Sequence, residues 1–138
     1  RNGRPVFDGG GIDPDLLVEK PDLQPVTKAL IAQNLIFDFA TEFVEKNASI
    51  AGPRVFDIAA STYKDFTRFV QARDFDFSTR SEAQLEVLRT KAVDEAYQQE
   101  LEEKIVAIKK EIEAQKKEDL RTHQVEIKSL LRKEIIYR

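Results

Sequence analysis

The sequence predicts a mainly α fold: a bundle of about four helices behind a short extended, turn-rich lead-in. Three observations carry that expectation. From Glu82 to Arg138 there is no glycine and no proline. From Val26 onward apolar residues recur every three to four positions, the period of a helix with one buried stripe. Four of the five glycines fall at Gly3, Gly9, Gly10 and Gly11, so backbone freedom is concentrated at one end.

The lead-in divides from the helical part near Pro25, giving two expected units, residues 1–24 and 25–138. Pro5-Val6-Phe7 and Leu16-Leu17-Val18 are short apolar runs on either side of the glycine turn. Two such strands alone bury too little to be stable in water. The first helix is expected to start at Pro25, whose fixed φ suits the first helical position, with Asp22 or Gln24 near the cap. Val26, Leu30, Leu35, Phe39 and Phe43 give it one broad apolar face, and Ala51-Gly52-Pro53 stops it near Asn47. Val55-Phe56-Asp57-Ile58 reads as strand or loop. A second helix, capped by Ser61 or Thr62, buries Tyr63, Phe66, Phe69 and Val70. The alternation in Arg73-Asp74-Phe75-Asp76-Phe77 puts Phe75 and Phe77 on one surface of an extended piece.

Ser81-Glu82-Ala83-Gln84 fits a capping box and opens a third helix. Its stripe runs through Leu85, Leu88, Ala92, Ala96 and Leu101 to Ile105, Ile108 and Ile112. One helix from there to Arg138 would be about 85 Å long, too long for a compact domain of this size, so a break is expected where the stripe lapses, at Lys116–Asp119. A looser joint fits Tyr97–Glu100. The last helix then carries Leu120, Ile127, Leu130, Leu131 and Ile135.

Composition excludes several functions. The 22 basic and 25 acidic side chains leave a net charge of −3, which favours no polyanionic partner. No apolar run approaches bilayer thickness, so no membrane span is expected. There is no cysteine and only one histidine, so thiolate chemistry and multi-histidine metal sites are excluded. His123 lies on a charged helix and reads as a surface residue. Asp8, Asp13 and Asp15 lack the ligand spacing of a calcium loop and read as turn and cap carboxylates. The glycines lead into no phosphate-binding Gly-Lys-Ser/Thr. Ser78 and Ser81 with Lys104 and Lys109 could be drawn into a serine–lysine dyad, but no glycine-rich turn displays either serine. Lys109-Lys110 and Lys116-Lys117 are interleaved with Glu and read as solvated helix face. No catalytic, cofactor-binding or metal residue is assigned in this chain, and no cofactor is expected. The apolar stripes would serve a partner helix as well as an internal core, so self-association is one expected role.

One stretch is specific. Asn2-Gly3-Arg4-Pro5-Val6-Phe7-Asp8-Gly9-Gly10-Gly11-Ile12-Asp13-Pro14-Asp15 resembles the motif Gly-Arg-x-(Val/Ile)-x-x-Gly-Gly-Ile-x-Pro-Asp that closes the peptidase domain of the carboxyl-terminal processing peptidases, or tail-specific proteases. The helices that follow are similar in layout to the C-terminal helical extension of some bacterial members. The resemblance implies that residues 1–24 end an α/β peptidase core. It further implies that the nucleophilic serine, the general-base lysine and a PDZ domain lie upstream, so none maps onto a residue of this chain. With no initiator methionine before a glycine-rich turn, an upstream natural N-terminus is expected, together with weak anchoring of Arg1–Val18. The expected function is a non-catalytic helical region of a serine peptidase that cleaves proteins after recognising their C-termini. It would pack on the core, shape access or mediate self-association, with the periplasm or cell envelope as the compartment the family implies. The rival expectation is a stand-alone helical protein-interaction module.

Overall fold

The computed structural model describes residues 22–138. The expected strands, the glycine turn and Asp8, Asp13 and Asp15 lie outside the described residues. Six helices follow one another: α1 (Pro25–Ala32), α2 (Leu35–Lys46), α3 (Ala60–Gln71), α4 (Arg80–Asp94), α5 (Gln98–Thr122) and α6 (Gln124–Ile136). The mainly α expectation holds, with more helices than the four expected because two of the long stripes are interrupted.

The first interruption divides the helix expected over Pro25–Asn47. Asn34 takes the left-handed conformation (φ 58°), which asparagine tolerates better than most residues, and its amide donates to the Ile31 carbonyl at 3.0 Å. The turn re-aims the stripe, so that Val26 and Leu30 on α1 and Leu35, Ile36 and Phe39 on α2 are all buried. Helix α2 stops at Lys46, where the Asn47 side chain donates to the Phe43 carbonyl at 2.7 Å, six residues ahead of Gly52. Residues 55–58 form a turn and loop, from which Ile58 enters the core.

The core lies between α1, α2, α3 and α6 and centres on aromatic rings. Phe39 meets Phe66 and Phe69 edge-on at 5.2 and 5.3 Å between centroids, a favoured geometry for π systems. Ile127, Leu131 and Ile135 close it from α6. Arg132 on α6 donates to the Phe56 and Pro53 carbonyls, each at 2.6 Å, and holds the 48–59 connection against the bundle. Tyr63 donates its hydroxyl to the Leu120 carbonyl, tying α3 to α5, and burial raises its pKa to about 12.

Two expected caps are replaced. Helix α3 begins at Ala60, with Ala59 in the cap position and no side-chain cap, so Ser61 and Thr62 sit inside the helix. Helix α4 is capped by Thr79 and Glu82, two residues before the Ser81–Gln84 box read from the sequence. The Thr79 amide donates to Glu82 at 2.6 Å, and the Glu82 amide donates to the Thr79 hydroxyl at 3.1 Å. Both quartets satisfy the local pattern. The earlier one puts a carboxylate, which a helix N-terminus favours, at the third position.

The breaks in the C-terminal half also differ from expectation. Helix α5 runs through Lys116–Asp119 and ends at His123, which caps α5 and opens α6. Lys116 occupies the stripe position after Ile105 and Ile112 because its aliphatic stem packs where an apolar residue would and its ammonium is paired. The joint between α4 and α5 falls at Glu95–Tyr97, just ahead of the expected Tyr97–Glu100. There Ala96 is left-handed (φ 62°), the Tyr97 amide donates to the Ala92 carbonyl at 2.8 Å and the Ala96 amide to Val93 at 3.2 Å. This is a Schellman ending built on alanine, where glycine is usual. Ala96→Gly should therefore stabilise the chain by about 1 kcal/mol, read as a raised urea midpoint.

Candidate interaction surface

Helices α4 and α5 form an antiparallel hairpin that stands out from the bundle. Helix α4 packs chiefly on α5, and of its side chains only Ala92 is buried. The N-terminal half of α5 contributes Ile105 to the seam between them, whereas its C-terminal half reaches the bundle through Leu120. At 1.5 Å per residue α5 is about 37 Å long and the arm itself about 22 Å.

A charge cluster fixes the arm at its base. Lys116 is 8% exposed and its ammonium lies 2.9 Å from Asp76, 3.1 Å from Glu82 and 3.9 Å from Glu113. It also sits 5.1 Å from the centre of the Phe77 ring, which stacks on Phe75 at 5.6 Å as the alternation predicted. One side chain thus joins α5 to the first turn of α4 and to the 72–79 connection. The Gln33 side chain secures that connection by donating to the Asp76 carbonyl at 2.8 Å. Lys116 is therefore not the solvated helix face expected of it, and Glu82 is its partly buried partner as well as part of a cap. The usable signal was helical spacing, since Lys116 is four residues beyond Ile112 and eleven beyond Ile105.

The cluster shifts its own titrations. Burial opposes the Lys116 charge, but the hydrogen bonds to Asp76 and Glu82 outweigh it and hold the ammonium above its ordinary pKa. Burial also opposes the Glu82 charge, yet the Thr79 cap and Lys116 together keep that carboxyl below the ordinary range. The Lys116 hydrogen bond is the main cause that lowers Asp76. Depressed carboxylates contribute stability that is present above their unfolded values, 4.5 and 3.8, and lost as pH falls through the lower folded values. The raised lysine contributes stability present below 10.5 and lost as pH rises through its folded value. Asp119 runs the other way: burial raises its pKa, so protonation favours the fold. The stability difference between the chain and its Glu82→Gln variant should accordingly be largest between about pH 5 and 10 and collapse below about pH 4, as thermal unfolding across pH will measure.

The outward side of the arm is apolar. Leu85, Leu88, Ile108 and Ile112 line a shallow groove between the two helices, bordered by Arg80, Ser81 and Gln84. Leu88 and Ile108 are 44% and 48% exposed, and Val87, Val93, Tyr97 and Val106 add exposed apolar area elsewhere on the hairpin. The exposed apolar side chains thus lie along both helices of one element. The stripe from Leu85 to Ile112 was legible in the sequence, but only Ala92 and Ile105 of it are buried.

Among the described residues, those considered for chemistry do not converge. Ser81 is exposed at the start of α4 and Lys104 is exposed on the outer half of α5. Ser78 and Lys109 border a second cleft with Arg89 and Glu102, which pair across the arm at 2.7 Å. No hydrogen bond joins either serine to either lysine among the described residues. His123 is half-buried at the α5–α6 joint, 3.9 Å from Asp119, and both border an open trough beside the start of α1. Among the described residues no three His, Cys, Asp or Glu side chains gather as metal ligands. No helix of the described residues is long and apolar enough to cross a membrane.

The described residues thus form a helical domain, a bundle from which one apolar-faced hairpin projects. A protein-family model described as "Probable PDZ-protease, C-terminal helical domain" matches residues 26–138. The chain belongs to that family of C-terminal helical domains. No curated protein and no solved structure matched the chain.

Proposed function

We propose that this chain is the non-catalytic helical region of a carboxyl-terminal processing serine peptidase, and that its arm is a protein-contact element of that enzyme. The observation that carries the reading is the apolar groove of Leu85, Leu88, Ile108 and Ile112 on a hairpin whose base is locked by Lys116. A surface displayed on a rigid element loses little entropy when it docks. In this reading residues 1–24 end the peptidase core, residues 25–138 form the helical unit, and the serine–lysine dyad sits upstream. The bundle packs on that core and the arm reaches protein partners, which are substrates of the enzyme or further copies of it. The compartment is the periplasm or cell envelope. Nucleic acid is no partner, since the charge is balanced and interleaved.

Two measurements test this. The chain alone, incubated with an unfolded polypeptide ending in apolar residues, should leave it intact while the full-length protease cleaves it; turnover by the chain alone would overturn the reading. In the full-length protease, Leu88→Asp with Ile108→Asp should leave cleavage of a short free peptide unchanged and alter the processing of protein substrates or the enzyme's assembly. No change in either would remove the contact role.

A further inference from the structure

The charges around the groove are arranged as a two-fold pattern, and from this we infer that the arm's partner is the arm of a second copy, packed face to face and antiparallel. The inference deepens the contact role proposed above and rests on it. Glu82 and Arg89 on α4 meet Lys116 and Glu102 on α5, and this antiparallel register brings Leu88 to about the level of Ile108 along the arm. Arg80, the first residue of α4, lies eight residues to the base side of Leu88, and Glu95, which caps the end of α4, seven to the tip side. On α5, which runs back, Lys104 lies four residues to the tip side of Ile108 and Glu111 three to the base side. In rise these offsets are about 12 and 10.5 Å on α4, and about 6 and 4.5 Å on α5. A two-fold axis running across the arm at the Leu88–Ile108 level exchanges base and tip. It therefore sets Arg80 against the partner copy's Glu95 and Lys104 against its Glu111, each pair occurring twice.

These side chains are placed for that exchange. Offsets of three, four, seven and eight residues keep them on the helix side that carries Leu88 or Ile108, and all four are exposed. None makes an ion pair within the chain among the described residues, whereas Arg89 and Glu102, nearer the seam, pair with each other. The other two-fold arrangement, with arms parallel and α4 over the second copy's α5, brings Lys91 onto Lys104 and Glu95 onto Glu100. Like charges there disfavour it, so the pattern selects one register as well as one partner. Leu88 and Ile108 then meet their own counterparts at the axis and lose their contact with water, while Leu85 and Ile112, one turn to the base side, pack on the aliphatic stems of the second copy's Lys91 and Lys104.

Cross-linking and charge reversal test the pairing on the 138-residue chain, which has no cysteine. Ile108→Cys sits beside the axis and should form a disulfide-linked dimer on mild oxidation, while Val125→Cys, 79% exposed on α6, should not. By sedimentation equilibrium the chain should dimerise, and Lys104→Glu or Glu111→Lys should each weaken dimerisation about tenfold or more, because each places two like-charge pairs in the interface. Combining both reversals should restore affinity to within about threefold of the unaltered chain, a rescue that loss of folding cannot imitate. A monomer at every accessible concentration, equal cross-linking at both cysteines, or a double variant as weak as the single ones would each overturn the pairing. So would shielding of the groove only when the peptidase core is present, which would assign the groove to that core. If pairing fails while Leu88→Asp with Ile108→Asp still alters the full-length protease, the contact role stands with a different partner.

Discussion

Phe66→Ala should cost about 3–5 kcal/mol and lower the melting temperature by roughly 12–20 °C. Phe66 is 0% exposed and is the largest fully buried side chain among the described residues. It takes the edge of Phe39 at 5.2 Å and lies 6.0 Å from Tyr63, so truncation leaves a cavity between α2 and α3 that neither helix closes without giving up a second contact. Phe66→Leu, which refills most of the space, should cost about 1–2 kcal/mol. Phe37 provides the contrast. It is 53% exposed, with the Arg138 guanidinium over its ring at 3.8 Å, and Phe37→Ala should cost less than about 1 kcal/mol. Equal losses at Phe66 and Phe37 in chemical denaturation would contradict the assigned core.

The second large effect belongs to the clamp. Lys116→Met keeps the stem and removes the ammonium, leaving Glu82, 15% exposed in its side chain, without its cation. The expected loss is about 3 kcal/mol, the low end for breaking a buried pair, because Asp76 is 81% exposed and keeps its water. The loss should be local. Among the described residues helix α4 packs chiefly on α5 and is held at its base by the Lys116 cluster, so hydrogen exchange should accelerate first across α4 and the outer half of α5 while the α2–α6 packing stays protected. Uniform acceleration across the bundle would show that the arm and the core unfold as one unit. The Glu82→Gln variant should weaken the same contact less, since the neutral amide still caps the helix.

Most of the helical framework follows from local chemistry. Pro25 opens α1, Gly52-Pro53 bars extension of α2, and the apolar spacing marks Tyr63, Phe66 and Val70, or Ile127, Leu131 and Ile135, as buried sets that the tertiary structure then brings together. What locates a helix boundary is often a choice between two adequate local solutions. Thr79–Glu82 prevails over Ser81–Gln84 because the Glu82 carboxylate also meets Lys116, a residue 34 positions away. Asn34 and Ala96 take left-handed turns with no glycine or proline to announce them; the gain is buried area on both flanking helices, which no local window registers.

By itself, then, the sequence determined a cysteine-free, mainly α chain with its apolar stripes, since periodicity and composition are properties of neighbouring residues. It did not determine which stripes face inward. Leu85, Leu88, Ile108 and Ile112 have the same helical spacing as Ile127, Leu131 and Ile135, and only tertiary packing leaves the first set on the surface of a projecting arm and the second inside the bundle. The reason is physical: an amphipathic helix requires some apolar partner, and the free energy of burial is indifferent to which one it finds. Position in the fold makes that choice, and with it separates a core residue from a contact residue.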